Sequence, residues 1–298
     1  MDNKEYLVLS SSSLGYTLYD FSKKENIICR VRNKIFYHSD TSVKVGDIVY
    51  LDDKDNIIKI KERKNQLKRP NVSNIDLACL IISSKRPDFS SYLLDKYLTI
   101  NNYYKIPSLI LISKKDLLTK KEKDELEKRM DYYRKLHYDV IFIDCYKKDE
   151  DFSTFISLIY DKKICLIGQT GVGKSSLINL LDSSINREVD KNDNIIGRGR
   201  HTTKEVKIFK TDFCFIYDTP GFSSFDIDYL KPKDISVFFP GYDTIFNRCY
   251  FNNCLHEKEK GCEVIKQVDE GHLSFDSYEN YLKILKEVKS FDVWKKKI

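Results

Sequence analysis

Short apolar runs separated by polar turns divide the chain into two kinds of segment. Up to about residue 68 the runs are brief and rich in β-branched residues, with Gly15, Gly46 and Asp or Asn turns between them. Further on, apolar runs alternate with stretches of helical spacing, as in residues 108–112 followed by 119–136. The first pattern predicts a small all-β module, and the second predicts an α/β domain with a parallel sheet.

The β-rich runs of the N-terminal module suit a five-stranded barrel of the OB type, a common nucleic-acid-binding fold. They are residues 5–9, 26–31, 47–51 and 56–60. The aromatic residues of this module are as well suited to fill the core as to stack on bases: Tyr16, Tyr19, Phe36 and Tyr37. The basic run 59–64 is typical of a solvated linker as well as of RNA contact, so it leaves RNA binding open.

Near the C-terminus, apolar side chains recur at helical spacing among Lys and Glu. They are Tyr278, Tyr281, Leu282, Leu285 and Val288. Such a stripe predicts a packed amphipathic helix more often than a ligand-binding face.

A glycine-rich segment lies between the apolar run 164–167 and a helix-like stretch ending at 181. It reads Gly168, Gln169, Thr170, Gly171, Val172, Gly173, Lys174, Ser175, the full GxxxxGKS pattern, and Ser176 extends the predicted nucleotide-binding set. Its backbone N–H groups and the helix N-terminus favour phosphate. Lys174 is predicted to reach the outer phosphates and stabilise charge during catalysis, and Ser175 to offer a hydroxyl to magnesium. A chance glycine-rich turn is the alternative, which the flanking strand and helix disfavour.

A second motif follows the phosphate-binding loop. The apolar run 213–217 ends in Asp218, and Gly221 comes three residues later. We expect Asp218 to hold magnesium, usually through water, and the Gly221 N–H to sense the third phosphate.

A third motif precedes the loop. The run 108–112 leads into Ser113, Lys114 and Asp116, which resembles the Asn-Lys-x-Asp base-recognition motif of GTPases. The Asp carboxylate would accept two hydrogen bonds from guanine, a pattern that adenine cannot offer. In most GTPases this motif follows the phosphate-binding loop, so the reversed order predicts a circularly permuted GTPase domain. The segment after Gly221 then leads directly into the C-terminal module, which we expect to receive the nucleotide signal.

A cluster of metal-binding residue types occupies one short polar stretch. Cys249, Cys254, His256 and Cys262 have the spacing C-x4-C-x-H-x5-C. Three thiolates and an imidazole are a common tetrahedral set for structural zinc, and four protein ligands leave no open position for catalysis. Unrelated surface cysteines are the weaker alternative, because such thiols would be exposed and reactive without a packing role. We therefore predict one structural zinc ion.

Composition agrees with a multidomain cytoplasmic protein of 298 residues. Lys and Arg number 51 against 45 Asp and Glu, and this net charge of +6 permits an anionic partner without requiring one. No apolar run approaches a membrane span, and residues 1–5 lack the character of a signal peptide. Four cysteines in apolar runs suggest buried thiols rather than disulfides: Cys29, Cys79, Cys165 and Cys214.

Together these motifs resemble the ribosome small-subunit-dependent GTPase A family over nearly the whole chain. The matching segments are 69–76, 86–90, 94–98, the phosphate-binding loop, 199–203, 218–222 and 249–262. The resemblance implies an OB-type barrel, a permuted P-loop GTPase domain and a helical zinc-binding domain, which we place at residues 1–68, 69–230 and 231–298. It also implies late maturation of the small ribosomal subunit, contact with ribosomal RNA, and a slow GTPase stimulated by the subunit. We expect a monomer.

The chain departs from the family pattern at the base pocket and after Gly221. Ser113 replaces the usual Asn, which removes a side-chain amide that helps to brace the base pocket, and residues 144–146 replace a Ser-Ala pair. Phe222 stands where a polar residue often positions water. We therefore expect segment 197–203 to contribute, with Thr202 or Thr203 on magnesium and His201 near the water, although a phosphate contact or a solvated position would also explain His201.

Three classes of function are compatible with these features. One is an RNA-dependent GTPase of ribosome assembly, and another is a metabolic or transport NTPase. The third is a binding protein that uses GTP to hold a conformation, which Phe222 slightly favours. The two small modules and the absence of a second substrate motif argue against the metabolic enzyme.

Overall fold

The computed structural model describes residues 4–12, 15–31, 42–67, 70–184, 206–218 and 227–295. The chain forms two compact units that do not follow chain order. The first unit contains Met1–Ala78, Cys145–Leu166 and Lys174–Ser223, and the second contains Cys79–Asp144, Ile167–Gly173 and Ser224–Ile298. Among the described residues, no helix has the length and apolar character needed to cross a bilayer.

Five strands of the first unit close into a barrel. They are β1 (Tyr6–Ser12), β2 (Gly15–Asp20), β3 (Glu25–Val31), β4 (Ile48–Leu51) and β5 (Asn56–Ile60). Strand β1 pairs with both β2 and β4, β2 pairs with β3, and β5 pairs with both β3 and β4. This ring confirms the predicted N-terminal barrel and leaves no open edge among the five strands.

Apolar side chains from each barrel strand fill its interior. The buried cluster is Val8, Leu18, Cys29, Val43, Val49 and Ile57. Tyr16 packs against this cluster and Tyr19 is buried, so both favour the core alternative over a base-stacking role. Phe36 and Tyr37 lie outside the described residues.

In the part of the first unit that the structure describes beyond the barrel, there are three strands and two helices. They are α3 (Glu150–Ile159), β9 (Lys163–Ile167), α4 (Lys174–Leu181), β10 (Lys207–Lys210) and β11 (Phe215–Asp218). Strand β10 pairs antiparallel with both β1 and β11, and β11 pairs parallel with β9. The Asp76 carboxylate accepts hydrogen bonds from Lys163 N at 3.0 Å and Lys163 Nζ at 2.7 Å, which ties the segment after the barrel to β9.

The second unit contains the strand-helix alternation predicted from the sequence. Its elements in this region are β6 (Leu77–Ser83, of which the last five residues belong to this unit), α1 (Ser91–Tyr103), β7 (Ser108–Ser113), α2 (Lys120–Lys135) and β8 (Asp139–Ile143). The strand order is β6-β7-β8, and β7 and β8 are parallel. Every residue of β6 is buried, as expected for a strand covered on both faces. Thr119 and Glu122 form a capping box at the start of α2.

The C-terminal part of the second unit is helical. It contains α5 (Pro232–Phe238), α6 (Glu263–Asp269) and α7 (Phe275–Lys295). The predicted stripe on α7 packs inward, because Tyr281, Leu285 and Val288 are buried. Glu287 of α7 pairs with Lys96 of α1 at 2.9 Å and accepts a hydrogen bond from the Tyr92 hydroxyl at 2.6 Å.

Candidate functional site: the phosphate-binding loop, the base-recognition segment and the metal cluster

The predicted phosphate-binding loop joins the end of β9 to the start of α4. Gly168 is buried where a Cβ atom would lie 2.4 Å from the Ile81 carbonyl oxygen, so the close approach of loop and β6 requires glycine at this position. Gln169, Thr170 and Gly171 are exposed, and Val172 is buried. The loop therefore has one packed end and one accessible face, which is the arrangement needed to receive a ligand.

The first turn of α4 carries the predicted polar contacts. Lys174, Ser175 and Ser176 occupy it in sequence. Burial lowers the pKa of the Lys174 ammonium. A neighbouring anion would restore the charged form, because an opposite charge stabilises a desolvated cation. The Ser176 hydroxyl donates to the Tyr146 hydroxyl at 3.1 Å.

The predicted base-recognition segment begins where β7 ends. Ser113 is buried, Lys114 adopts a left-handed conformation with φ of 59°, and Asp116 lies in the 3-10 turn Lys115–Leu117 with its side chain exposed. The Lys114 ammonium donates to the Arg86 carbonyl. The Asp116 carboxylate is thus accessible at the end of a buried parallel strand, where ligands of open α/β sheets usually bind.

Sequence reasoning missed the residues that support this segment. The Ser84 N–H donates to the Ser113 carbonyl at 3.1 Å, and the Ser84 hydroxyl donates to the Lys114 carbonyl at 2.9 Å. Ser113 itself donates its hydroxyl to the Val172 carbonyl of the phosphate-binding loop at 2.6 Å. The two serines that end the buried β6 run were the available signal, because a polar pair at that edge can contact a neighbouring strand end.

Of the other predicted nucleotide-binding residues, the structure describes Asp218. Asp218 is exposed at the end of β11, where it pairs in register with Lys207 of β10. His201, Thr202, Thr203 and Gly221 lie outside the described residues, as does Phe222. In the segment that replaces the Ser-Ala pair, Asp144 and Cys145 are buried whereas Tyr146 is 77% exposed.

The structure brings the four predicted metal ligands together. Cys249, Cys254, His256 and Cys262 are all buried, and their ligand atoms all lie within 4.8 Å of one another. The Cys249 and Cys262 sulfur atoms are 3.9 Å apart, and His256 Nδ1 lies 3.5 Å from the first sulfur and 3.3 Å from the second. Tetrahedral zinc bonds would separate two sulfurs by about 3.8 Å and a sulfur from a nitrogen by about 3.6 Å. The donor set and its spacing therefore fit one zinc ion.

The imidazole of this cluster is held in the orientation that metal binding requires. His256 Nε2 lies 3.0 Å from the Ser236 carbonyl oxygen of α5 and donates its proton there, which leaves Nδ1 unprotonated among the sulfurs. The Tyr278 hydroxyl donates to the His256 carbonyl at 2.8 Å, and the Tyr281 hydroxyl donates to the Leu255 carbonyl. Helices α5 and α7 are therefore both hydrogen-bonded to the loop that carries His256.

Burial favours the uncharged forms of the side chains in this cluster. Burial raises the pKa of the Cys254 thiol and raises that of Cys262 to about 12, and burial lowers the pKa of His256. Buried thiols of this kind become thiolates when a divalent cation stabilises their charge.

Comparisons with known proteins agree with this geometry. A family model described as RsgA GTPase matches residues 60–228. "Small ribosomal subunit biogenesis GTPase RsgA" of Shouchella clausii is 35% identical over 288 residues, covering 95% of this chain and 97% of that protein. The protein of the same name from Lactobacillus gasseri is 36% identical over 291 residues, covering 96% of each.

Two solved structures share the fold over nearly the whole chain. YloQ, described as a circularly permuted GTPase, superposes with a TM-score of 0.79 at 30% identity and covers 97% of this chain and 96% of its own. YjeQ from Thermotoga maritima gives a TM-score of 0.81 at 28% identity, with coverage of 96% and 98%. The barrel, the permuted order of nucleotide motifs and the C-terminal metal cluster are therefore the fold class predicted from the sequence. This chain belongs to the RsgA GTPase family and is a GTP hydrolase.

Proposed function

We propose that this protein hydrolyses GTP to GDP and phosphate during late maturation of the small ribosomal subunit, and that the subunit stimulates the reaction. The observation that carries the proposal is the extent of the match. Relatives named as small-subunit biogenesis GTPases match 95% and 96% of the chain, so the similarity extends over the barrel and the C-terminal region as well as the GTPase domain. A match confined to the central domain would support GTP binding without the ribosomal role.

In the proposed site, the exposed Asp116 carboxylate selects guanine by accepting hydrogen bonds from its N1–H and N2 amine. The phosphate-binding loop and Lys174 stabilise the charge that spreads over the phosphate oxygens during transfer. Gly221 senses the third phosphate, and His201 acts near the attacking water. The last two roles rest on sequence, since both residues lie outside the described ranges.

Magnesium suits the oxygen donors that this site offers. Ser175 is exposed in the first turn of α4, and Asp218 is exposed at the end of β11. Hydroxyl and carboxylate oxygens are donors that this ion prefers. Thr203 completes the proposed set from outside the described residues. When bound, the ion neutralises charge on the outer phosphates. We propose zinc as the ion of the Cys3His cluster, where it stabilises the C-terminal helices.

Nucleotide state is proposed to control association with the subunit. Asp218 ends β11, and the described chain resumes at Ile227, which is buried in the second unit just before α5. Gly221 lies between Asp218 and Ile227 in the sequence. We propose that loss of the third phosphate at Gly221 acts on this segment and, through it, on the buried Ile227. If the subunit prefers the GTP form, it must raise affinity for GTP by the same factor.

The remaining assignments complete the proposal. The barrel and the zinc-binding module contact ribosomal RNA, the protein acts as a cytoplasmic monomer, and no membrane partner is involved. We propose domain boundaries at residues 1–68, 69–230 and 231–298, because the barrel strands end at Ile60 and α5 begins at Pro232.

Phosphate release with and without purified small subunits tests the function. We expect slow release from the protein alone, a large increase with small subunits, and no increase with large subunits. Lys174→Ala should abolish the signal in all three conditions. Equal release with and without small subunits would contradict the ribosomal role, and equal turnover of ATP would indicate a metabolic NTPase.

A further inference from the structure

The last two residues of β11 lie in opposite environments. Asp218 is exposed, whereas its neighbour Tyr217 is buried. Successive side chains of a strand point to opposite faces, so the strand end presents a carboxylate to solvent and a phenol to the interior. The Tyr217 hydroxyl donates a 2.5 Å hydrogen bond to the Ser73 carbonyl across 144 residues of sequence. All three residues belong to the first compact unit, which also contains the barrel.

Backbone pairing holds the end of β11 mainly from one side. The parallel register with β9 ends where Tyr217 faces Cys165, and Asp218 pairs in register with Lys207 of β10. A strand end that is paired along one edge can move more easily than the strand centre. The Tyr217 hydroxyl therefore adds an attachment next to the residue that needs it.

Ser73 is itself fixed to the barrel. Its N–H donates to the Val45 carbonyl at 3.0 Å, and its hydroxyl donates to the Asp47 carboxylate at 2.6 Å. At Gly46 a Cβ atom would lie 2.1 Å from the Ser73 carbonyl oxygen and 2.3 Å from the Tyr217 hydroxyl oxygen. The three groups thus meet at a point where the close approach requires glycine.

Asp47 is a buried carboxylate that several donors hold in place. Arg63 donates to each of its two oxygens at 2.8 Å, and the Lys44 N–H donates to it at 2.8 Å. The same guanidinium donates to the Ser42 carbonyl at 2.6 Å. A buried polar network whose members are paired in this way rigidifies its surroundings. The connection from Tyr217 therefore ends in a rigid part of the barrel.

We propose that Tyr217 is a positioning residue for magnesium, because its hydroxyl fixes the end of β11, and with it the Asp218 carboxylate, to the barrel. The inference deepens the proposed function, since it rests on magnesium binding at Asp218. Ser175, the other proposed ligand among the described residues, belongs to the same compact unit. A metal ligand that is held in place by its surroundings binds the ion more tightly than one that must be ordered on binding. The barrel then contributes to the metal site in addition to its proposed RNA contact.

The test measures how magnesium strengthens binding of a non-hydrolysable GTP analogue. The quantity compared is the magnesium concentration that gives half of the full effect. Tyr217→Phe keeps the ring and removes the hydroxyl, so this concentration should rise about threefold to tenfold, the range expected for one buried hydrogen bond. Binding of GDP in magnesium-free buffer should be unchanged. A variant that is only less stable would lose active protein without changing the half-effect concentration.

A second substitution tests whether the effect passes through the barrel. Ser73→Ala removes the contact to Asp47 and keeps the Ser73 carbonyl that Tyr217 contacts. It should also raise the half-effect concentration, and the double variant should be no worse than Tyr217→Phe, because both changes act on one connection. Effects that multiply in the double variant would overturn the connection. Ser73→Ala carries the test alone if Tyr217→Phe does not fold.

Tyr50→Phe is the matched control, because the Tyr50 hydroxyl of β4 donates to the Glu5 carboxylate at 2.9 Å within the first unit. It makes the same chemical change at another contact and should leave the magnesium dependence like that of the wild type. An unchanged half-effect concentration in Tyr217→Phe would overturn the positioning role. A wild type that binds the analogue equally with and without magnesium would instead refute the proposed magnesium site.

Discussion

The carboxylate of Asp95 in α1 accepts a 2.8 Å hydrogen bond from the side-chain amide of Asn280 in α7. It also accepts hydrogen bonds from the Tyr133 hydroxyl of α2 at 2.8 Å and from the Ser277 hydroxyl at 3.2 Å. Asp95 is 0% exposed. One buried side chain therefore joins two helices of the nucleotide-binding region to the longest C-terminal helix.

This cluster predicts a pH-dependent stability. Burial raises the pKa of Asp95 to about 7, although its three donors lower it. From about pH 4 to pH 7 the folded protein retains a proton that the unfolded chain has lost, so this contribution to stability is complete at acid pH and is lost as pH rises through 7. Asp95→Asn cannot titrate, and its thermal midpoint should fall less than that of the wild type between about pH 5 and pH 8.

The exposed Asp124 of α2 provides the matched control for this substitution. Asp124→Asn should follow the wild-type pH profile. Parallel profiles for Asp95→Asn and the wild type would show that Asp95 does not titrate in this range.

Zinc content is the second prediction. Purified protein should contain about one zinc ion per chain. The cluster supplies four ligands, the number that tetrahedral zinc needs, so Cys262→Ser should lose most of the bound zinc. Chelation should melt α5 to α7 before the barrel, since metal-binding energy in such modules is folding energy. Elemental analysis and circular dichroism give the two readouts.

Cys29→Ala is a suitable control for the metal measurement, because Cys29 is buried in the barrel core rather than in the cluster. It should retain the full zinc content despite some loss of stability. A zinc-free wild type purified without chelators would remove the site.

Alanine substitutions at two glycines of the phosphate-binding loop should destabilise the protein to different extents. In Gly168→Ala the new methyl group would lie 2.4 Å from the Ile81 carbonyl oxygen, an overlap that costs about 1–3 kcal/mol or more. In Gly171→Ala no atom lies within 4 Å, and the cost is the strain of φ at 80°, about 1–2 kcal/mol. Thermal unfolding should therefore show the larger loss for Gly168→Ala. The reverse order would mean that the loop and β6 separate readily.

Base selection is the fourth prediction. Asp116→Asn should shift preference from guanine toward xanthine nucleotides, because an amide cannot accept both guanine donors. Competition binding with GTP, ATP and XTP measures the shift, and Asp124→Asn should leave it unchanged. Strong ATP binding by the wild type would be incompatible with the assignment.

Sequence pattern predicted those parts of the molecule that depend on local signals. Helical spacing predicted a helix over residues 119–136, and the structure has α2 at Lys120–Lys135, with Thr119 as its N-cap and Glu122 completing the capping box. Strand β2 was not among the runs identified, since Gly15–Asp20 has no continuous apolar run and its pairing with β1 and β3 defines it. The strand is therefore a product of tertiary context.

Contacts between residues far apart in the sequence could not be predicted from the sequence. The cysteine spacing predicted the metal cluster, but nothing in it indicated that Ser236 would accept the His256 proton from 20 residues away. Similarly, the motif around Ser113 predicted a loss of bracing, whereas the structure shows a hydroxyl that contacts Val172. Residue types near a site can be read from a motif, but their partners depend on which strands become neighbours.

All eight cysteines are buried, and they are distributed over the barrel, the strands and turns of the nucleotide-binding region, and the metal cluster. A thiol reagent added to the native protein would therefore react only where the structure opens. The labelling rate at Cys29 would report fluctuations of the barrel, that at Cys214 would report those near β11, and that at Cys262 would report metal release. The protein thus carries its own chemical reporters of local opening, and mass spectrometry could follow each region separately without an introduced probe.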